Sequence, residues 1–356
     1  MNIPANIGSA LLMLTVSALS VAMILKHKHA ISKASFAWAL LSGLFAFVAS
    51  GFYIAAPDGG LSKVLILLAL FIMIPMFPFN GLYLGVFAAV PARISSFMAL
   101  LMPLSALSVL LNSDLITSMG LIMHNSGDMA STLKVLATIG VIYGAIRALT
   151  QIRVAPLLGY GSVSIYSLVW IYIFNSEKYM LKVDSAATMI PLKPLTNQED
   201  TIIILILSTA VSIAAMLYAW SLVTKRYDDI EISKVIGTVG GLINTMPRLT
   251  AMFTLLFVAI AGLPPFGLFT GYIMAVFSPA SLDTCLPALT VTMLAFSSWY
   301  FTKLLQRIFF GEKKDDSITI GFSRDITFIE LIPLLLALSL LLSLGLYNEW
   351  IVKGLL

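Results

Sequence analysis

Four side chains in or beside apolar stretches have types that could hold or pass a proton: Lys134, Arg147, Tyr160 and Tyr272. A proton crosses a bilayer through titratable side chains or ordered water, and such groups are costly enough at membrane depth to be rare unless they function. Lys134 and Arg147 lie near predicted helix ends, where a long side chain can reach the interface. Either tyrosine could donate a hydrogen bond, order water or simply fill space. These residues are candidates for a polar path, with snorkelling and packing as the ordinary alternatives.

Other reactive groups in the sequence offer no chemistry of their own. His27 and His29 lie in a basic loop without a third metal ligand nearby, and His124 is predicted in an outer loop. Cys285 is the only cysteine, which excludes a disulfide framework, iron–sulfur ligation and a CxxC zinc site. No Ser/His/Asp arrangement or phosphate-binding loop is visible. The sequence therefore predicts a chain that binds no metal or cofactor and is not a self-contained enzyme.

The amino-acid composition indicates the environment in which these residues lie. The chain is 59% hydrophobic and 11% charged, with a mean hydropathy of +0.99. A soluble protein of 356 residues would carry more charge on its surface. The basic balance, with a pI near 9.0, fits positively charged loops on the inner side of a membrane and argues against nucleic-acid binding. These values predict an all-α, multi-pass integral membrane protein.

Apolar runs between charged or Gly/Pro-marked breaks predict ten transmembrane spans. Their approximate limits are 4–25, 35–56, 62–84, 94–112, 132–150, 157–174, 201–223, 249–277, 287–305 and 329–347. With both termini outside, the inner loops and helix ends hold fifteen lysines and arginines against six on the outer side, as the positive-inside rule expects. The segment 228–246 is amphipathic and too polar to span, so it is expected to lie along the inner interface.

Two of the predicted spans carry helix-breaking residues in their interiors. The set is Pro75, Pro78 and Gly81 in the first, and Gly262, Pro264, Pro265, Gly267 and Gly271 in the second. Proline removes a backbone donor, and in lipid the freed carbonyl groups must be satisfied by protein or water. Two broken helices in corresponding positions predict an inverted-repeat transporter with a central pathway. The alternative is that the prolines only kink the helices and shape their packing.

Four segments in order carry a resemblance to a known family. They are PMFPFNGLYLGVFAAVPA (75–92), LLGYGSVSIYS (157–167), VGGLINTMPRLTAMFTLLFVAIAGLPPFGLFTGYIM (239–274) and YFTKLLQRIFFGE (300–312). They resemble the P-x-x-PFH-x-W-L, LLAYSSxSHxG, GGL…MP…GLP…GF…G and YxxxxxQRxFFG segments of the antiporter-like membrane subunits. Such subunits occur in respiratory NADH:quinone oxidoreductase (complex I), membrane-bound hydrogenases and Mrp-type cation/proton antiporters.

The resemblance implies a bundle of two inverted five-helix repeats, each with one broken helix. Family members commonly have about fourteen helices, so the chain is expected to match the last ten. The expected division is a shortened first repeat over 1–112, a second repeat over 132–305, and an inner loop with a terminal helix over 306–356.

The departures from the family pattern bear most on function. The expected channel lysines match Met73 and a position near Met102–Leu104, the histidine of the LLAYSS segment matches Ile165, and the ionisable residue after the second break matches Tyr272. All seventeen acidic residues fall in predicted loops or at helix ends. The sequence therefore predicts a degenerate member in which Tyr272 stays neutral.

Three functions remain open on the sequence. The chain is a structural, non-conducting subunit of a complex I-type or hydrogenase-type complex; or an active proton or sodium translocator; or the membrane partner of a soluble enzyme, such as an inorganic-carbon uptake complex. The resemblance implies other membrane subunits, lipids and a peripheral redox module as partners, with iron–sulfur clusters, flavin or nickel–iron on partner subunits. It implies the bacterial inner membrane, or alternatively the mitochondrial inner membrane.

Overall fold

Helices make up nearly all of the described part of the chain. The computed structural model describes residues 5–57, 59–111, 127–185, 198–226, 241–277, 286–309 and 325–347. In chain order the helices are α1 (Ala5–Lys26), α2 (Lys33–Ala55), α3 (Gly60–Met73), α4 (Gly81–Ala89), α5 (Ala92–Leu111), α6 (Gly127–Thr150), α7 (Val154–Ser185), α8 (Gln198–Arg226), α9 (Leu242–Thr245), α10 (Pro247–Ile260), α11 (Gly267–Val276), α12 (Leu286–Ile308) and α13 (Phe328–Leu346).

The predicted all-α, multi-pass membrane fold is confirmed. Seven described helices, α1, α2, α5, α6, α7, α8 and α13, are long and apolar enough to cross a membrane. Three shorter helices, α3, α10 and α11, are also apolar. Each of the ten predicted spans coincides with one long helix or with two shorter helices on either side of a break. The orientation with both termini outside stays a prediction, as does the division into a shortened first repeat and a second repeat.

Several predicted boundaries were wrong because apolar runs mark only the buried length of a helix. Helix α7 continues to Ser185, where a loop over 175–200 was expected, since residues 176–185 contain no proline or glycine to stop it. Glu177 and Asp184 therefore lie on a helix. Helix α6 begins at Gly127, so Lys134 lies about two turns inside it. Of the predicted interfacial segment only 241–246 is described, with α9 in it; His124 and Cys285 lie outside the described residues.

Helices α7 and α8 form the centre of the bundle. The apolar part of α7 is 94% buried, whereas that of α13 is only 22% buried. Helix α7 packs on α4, α6, α8 and α12, and α8 packs on α5, α10, α11 and α13. Close packing of α6 on α7 depends on Gly144, since a Cβ there would come within 2.7 Å of the Ser164 backbone nitrogen. These two helices therefore connect the elements around both helix breaks.

Ionic and capping contacts hold one end of α13 against α8 and α10. Glu330 pairs with Arg226 at 2.6 Å and completes a capping box with Thr327 at the start of α13. The Asp325 carboxylate accepts hydrogen bonds from the backbone N–H of Arg248 at 2.7 Å and of Leu249 at 3.3 Å, at the start of α10. The beginnings of α10 and α13 are thus fixed to the end of α8.

Candidate functional site: the two helix breaks

Two helices are interrupted where the prolines predicted it. Helices α3 and α4 are separated by residues 74–80, and helices α10 and α11 by residues 261–266. Each interruption contains one cis peptide bond before a proline, Phe77–Pro78 in the first and Pro264–Pro265 in the second. Each break follows a helix of 14 residues, and the helix after it has 9 residues in the first case and 10 in the second. The two breaks have the same construction, and we call them the first break and the second break.

Glycines permit the close contacts around the second break. Gly262 has a φ of 71°, a conformation that side chains disfavour, and a Cβ there would approach the Tyr272 ring to 2.7 Å. Gly267 is the first residue of α11, and a Cβ there would lie 2.6 Å from the Ser208 hydroxyl of α8. Gly271 similarly faces Leu205 of α8, which leaves no room for a larger residue. At the first break, Gly81 is the corresponding first residue of α4.

A tryptophan on α7, 96 positions further along the chain, closes the first break. The Trp170 indole N–H donates a 2.9 Å hydrogen bond to the Ile74 carbonyl oxygen. Its ring meets Phe71 edge-on at 4.6 Å and stacks on Phe174 at 5.6 Å. Nearby, Phe77 contacts Tyr143 of α6, with ring centroids 4.9 Å apart. Sequence reasoning missed Trp170, although a tryptophan inside an apolar helix signals that its indole N–H needs an acceptor.

Apolar side chains occupy the positions where relatives were expected to place channel residues. Met73 ends α3 just before the first break, Met102 lies within α5 and Ile165 within α7, and all three are fully buried. Leu104 is half-buried on α5. Among residues whose burial the structure describes, the buried polar side chains are serine, threonine and asparagine only, besides tyrosines; none is Asp, Glu, His, Lys or Arg.

Tyr272 is enclosed beside the second break. It lies on α11, is 2% exposed, and its hydroxyl donates toward the Met293 sulfur of α12 at 3.6 Å. Its ring faces Gly262 on the other side of the break. The side chain therefore fills space and makes one weak polar contact.

The remaining path candidates lie on α6 and α7. The Arg147 guanidinium lies 5.4 Å from the centre of the Tyr160 ring, and Tyr143 packs edge-on against the same ring at 6.0 Å. Arg147 is exposed, Tyr160 half-buried and Lys134 half-buried. The structure brings Arg147 and Tyr160 together, while Tyr272 contacts α12 instead. Because Arg147 is exposed, this pair places no charge in the buried interior.

Buried hydroxyl groups form the most polar part of the interior. The Tyr83 hydroxyl on α4 lies beside those of Ser162 and Tyr166 on α7. Four further side chains, Ser167, Ser208, Ser212 and Tyr300, have a buried hydroxyl without a hydrogen bond in the described part of the chain. Buried hydroxyl groups of this kind commonly bind water. The serines and tyrosines of GYGSVSIYS (159–167) could have indicated a buried group of hydroxyls. From the sequence, that segment was interpreted only as one of the four that resemble the family.

The described residues contain no group of three His, Cys, Asp or Glu side chains placed to hold a metal ion.

Comparisons with known proteins relate this helical bundle to the antiporter-like membrane subunits. The chain is 24% identical over 225 residues to NADH-quinone oxidoreductase subunit M of Pseudomonas aeruginosa, covering 63% of this chain and 39% of that protein. It is 27% identical over 232 residues to subunit M of Escherichia coli, covering 65% and 41%. Subunit N of Acinetobacter baumannii is 22% identical over 246 residues, covering 69% and 45%.

Solved structures show the same fold. The Mrp complex from Dietzia contains a chain that superposes with a TM-score of 0.66 at 15% identity, covering 93% of this chain and 69% of that one. Respiratory complex I from Thermus thermophilus contains one with a TM-score of 0.63 at 20% identity, covering 97% and 70%. No family model matches the chain. The resemblance predicted from the four segments is confirmed: sequence relatives and structural neighbours match the antiporter-like subunits. The chain spans less than half the length of the three curated relatives.

Proposed function

We propose that this chain is a structural membrane subunit of a complex I-type or hydrogenase-type complex and conducts no protons itself. It would keep the antiporter-like bundle and its packing surfaces, bridge neighbouring membrane subunits and seal the bilayer. The relatives that support the proposal carry names of NADH-quinone oxidoreductase subunits, and the fold is also found in an Mrp complex.

The observation that carries the proposal is the composition of the buried interior. A relay across the membrane uses groups that accept and release protons near physiological pH, such as carboxylate, imidazole or a lysine with a lowered pKa. No such side chain is buried among the residues whose burial the structure describes, and Met73, Met102 and Ile165 occupy expected channel positions. Without these groups, proton transfer would depend on water alone.

The buried hydroxyl groups favour a second candidate, an active proton or sodium translocator. Water bound beside Tyr83, Ser162 and Tyr166 could in principle link hydroxyl groups across the middle of the bundle. Hydroxyl groups order water and pass protons, but they do not store charge at neutral pH. A path of this kind also needs a neighbouring subunit to supply a titratable group.

Partners and cofactors follow from the same proposal. Other membrane subunits and lipids would surround the bundle, and a peripheral redox module would dock on the assembled complex. Iron–sulfur clusters, flavin or nickel–iron would belong to partner subunits and not to this chain. We place the complex in the bacterial inner membrane, as the bacterial relatives suggest.

The test combines purification with a flux measurement. An affinity tag on this chain should recover a complex from native membranes, and mass spectrometry should identify other membrane subunits with iron–sulfur or nickel–iron proteins. The purified chain reconstituted in liposomes should show no more proton leak than protein-free liposomes under an imposed pH gradient. Proton flux that Tyr272→Phe or Arg147→Gln abolishes would establish the translocator instead. If the tagged chain copurifies only with a soluble carbon-hydrating enzyme, it belongs to an inorganic-carbon uptake complex and not to a respiratory complex.

A further inference from the structure

The second break lies open on the surface of the chain, unlike the first. Leu263 is 45% exposed, and Pro264 and Pro265 beside it are also exposed. At the first break, by contrast, Ile74, Pro75 and Met76 are buried. The first break is thus buried over 74–76 and half-buried over 77–79, whereas the second is exposed over 263–265.

The open break lies within the apolar layer of the membrane. Gly267 of α11 faces Ser208 of α8, so this level of α8 marks the depth of the break. Ser208 lies eight residues from Asp200 and seventeen from Lys225 along α8, which a rise of 1.5 Å per residue converts to about 12 Å and about 26 Å. No charged residue lies on α8 between those two positions. The break therefore lies beside the uncharged stretch of α8, nearer to its Asp200 end than to its Lys225 end.

Three carbonyl groups at the open break lack a hydrogen-bond donor in the described part of the chain. The carbonyl groups of Gly262, Pro264 and Pro265 accept no hydrogen bond from residues that the structure describes. On one side α13 covers the break, because Gly345 packs directly on the Pro265 carbonyl and accepts a 3.1 Å hydrogen bond from the Thr270 hydroxyl. The Thr270 hydroxyl is thus already engaged, and the side at Leu263 and Pro264 remains exposed.

Lipid cannot cover such a surface. Irregular backbone within the hydrocarbon region is tolerated only where protein or a water-filled cavity satisfies its polar groups, and each unsatisfied group costs several kcal/mol. An exposed leucine on a regular helix has no such need, because its backbone is already hydrogen-bonded. The exposed 263–265 segment therefore calls for a protein neighbour in a way that the exposed apolar faces of α2, α6 and α13 do not.

We infer that the second break is a docking surface for a transmembrane helix of another membrane subunit. The first break shows the chemistry of the fitting partner: an aromatic helix face carrying one N–H donor, as Trp170 does for the Ile74 carbonyl. The partner helix would place a donor such as an indole, amide or hydroxyl against the Pro264 carbonyl group and pack apolar side chains on Leu263. The inference rests on the subunit role proposed above but not on the absence of conduction.

Photo-crosslinking in native membranes tests this surface. Leu263 is replaced by the photo-reactive p-benzoylphenylalanine, and the matched control is the same replacement at Leu336, which is 64% exposed on the regular helix α13. After irradiation of the intact complex, position 263 should give a covalent adduct with a membrane-spanning segment of a different subunit, in several-fold higher yield than position 336. Mass spectrometry identifies the partner segment.

Four outcomes would overturn the inference. They are adducts with lipid only, adducts with a second copy of this chain, adducts with residues 348–356 of the same chain, and equal protein yields at the two positions.

A labelling experiment gives an independent reading. In a Cys285→Ser background, Leu263→Cys should resist a membrane-impermeant maleimide in the intact complex and react after detergent separates the subunits. Fast labelling in the intact complex would mean that water covers the break, and the inference would be wrong. Neither experiment measures proton flux, so the docking surface is tested separately from the non-conducting role.

Discussion

The two breaks share their construction but not their surroundings. Each has a helix of 14 residues before it and a short helix after it, with prolines between. The first is enclosed by α6 and α7, and Trp170 satisfies one of its freed carbonyl groups. The second is held on one side by α13 and left open at Leu263 and Pro264. The same kind of interrupted helix thus occurs twice in the chain, but different side chains and helices pack against each break.

This difference bears on two separate properties, the interruption of a helix and the conduction of protons. A break provides close backbone approach and free polar groups, which suit an ion pathway, but conduction also requires titratable side chains. Here both breaks are retained while Met73 and Tyr272 occupy the expected ionisable positions. We therefore interpret the breaks as packing and docking features of this chain, and the predictions below test that interpretation at each break.

The largest effect is expected from Tyr272→Lys at the second break. The ammonium group would lie near Met293, Leu294 and the Gly262 backbone, and no Asp or Glu is buried among the residues whose burial the structure describes, so the cost is about 3 kcal/mol or more. We expect loss of assembled complex, measured by native gel and by the yield of tagged complex. The control is Leu25→Lys, an exposed position beside Lys26 at the end of α1, which should assemble normally. Restored or increased proton conduction with Tyr272→Lys would contradict a lost relay.

A smaller but clear effect is expected where α13 closes the second break. In Gly345→Ala the new Cβ would overlap the Pro265 carbonyl oxygen, so α13 or the break must move. Overpacking of this kind costs about 1–3 kcal/mol. The thermal unfolding midpoint of the detergent-solubilised complex should fall, whereas Gly8→Ala, which has open space around it, should leave the midpoint unchanged. Equal midpoints for the two variants would show that α13 is not tightly packed on the break.

At the first break, Trp170→Phe should cost about 1–2 kcal/mol. The substitution keeps an aromatic ring against Phe71 but leaves the Ile74 carbonyl without its donor. Thermal unfolding of the complex is again the measurement, with the exposed Trp299→Phe as the control. If both variants unfold at the wild-type temperature, a water molecule can replace the indole N–H as the donor to the Ile74 carbonyl. The first break would then be accessible to water despite its buried residues.

The sequence was sufficient for the positions of the breaks and for the membrane fold, because prolines and long apolar runs act locally. It was not sufficient for what covers each break. The segments 75–79 and 262–266 are both apolar and each contains two prolines, yet Pro75 and Met76 are buried whereas 263–265 is exposed, because burial depends on which helices pack there. Trp170 was missed for the same reason, since its acceptor lies 96 positions earlier in the chain. The length of α7 was missed because its polar last turns carry no apolar signal.

The smallest expected effect gives the most direct test of the central claim, that the chain keeps the breaks but not the conduction. Tyr272→Phe removes only the hydroxyl and its 3.6 Å contact to the Met293 sulfur. Substrate-driven proton pumping by the intact parent complex should be measured in native membrane vesicles, with subunit content checked in the same preparation. We expect wild-type assembly and pumping. A large loss of pumping with assembly intact would show that Tyr272 belongs to a working channel.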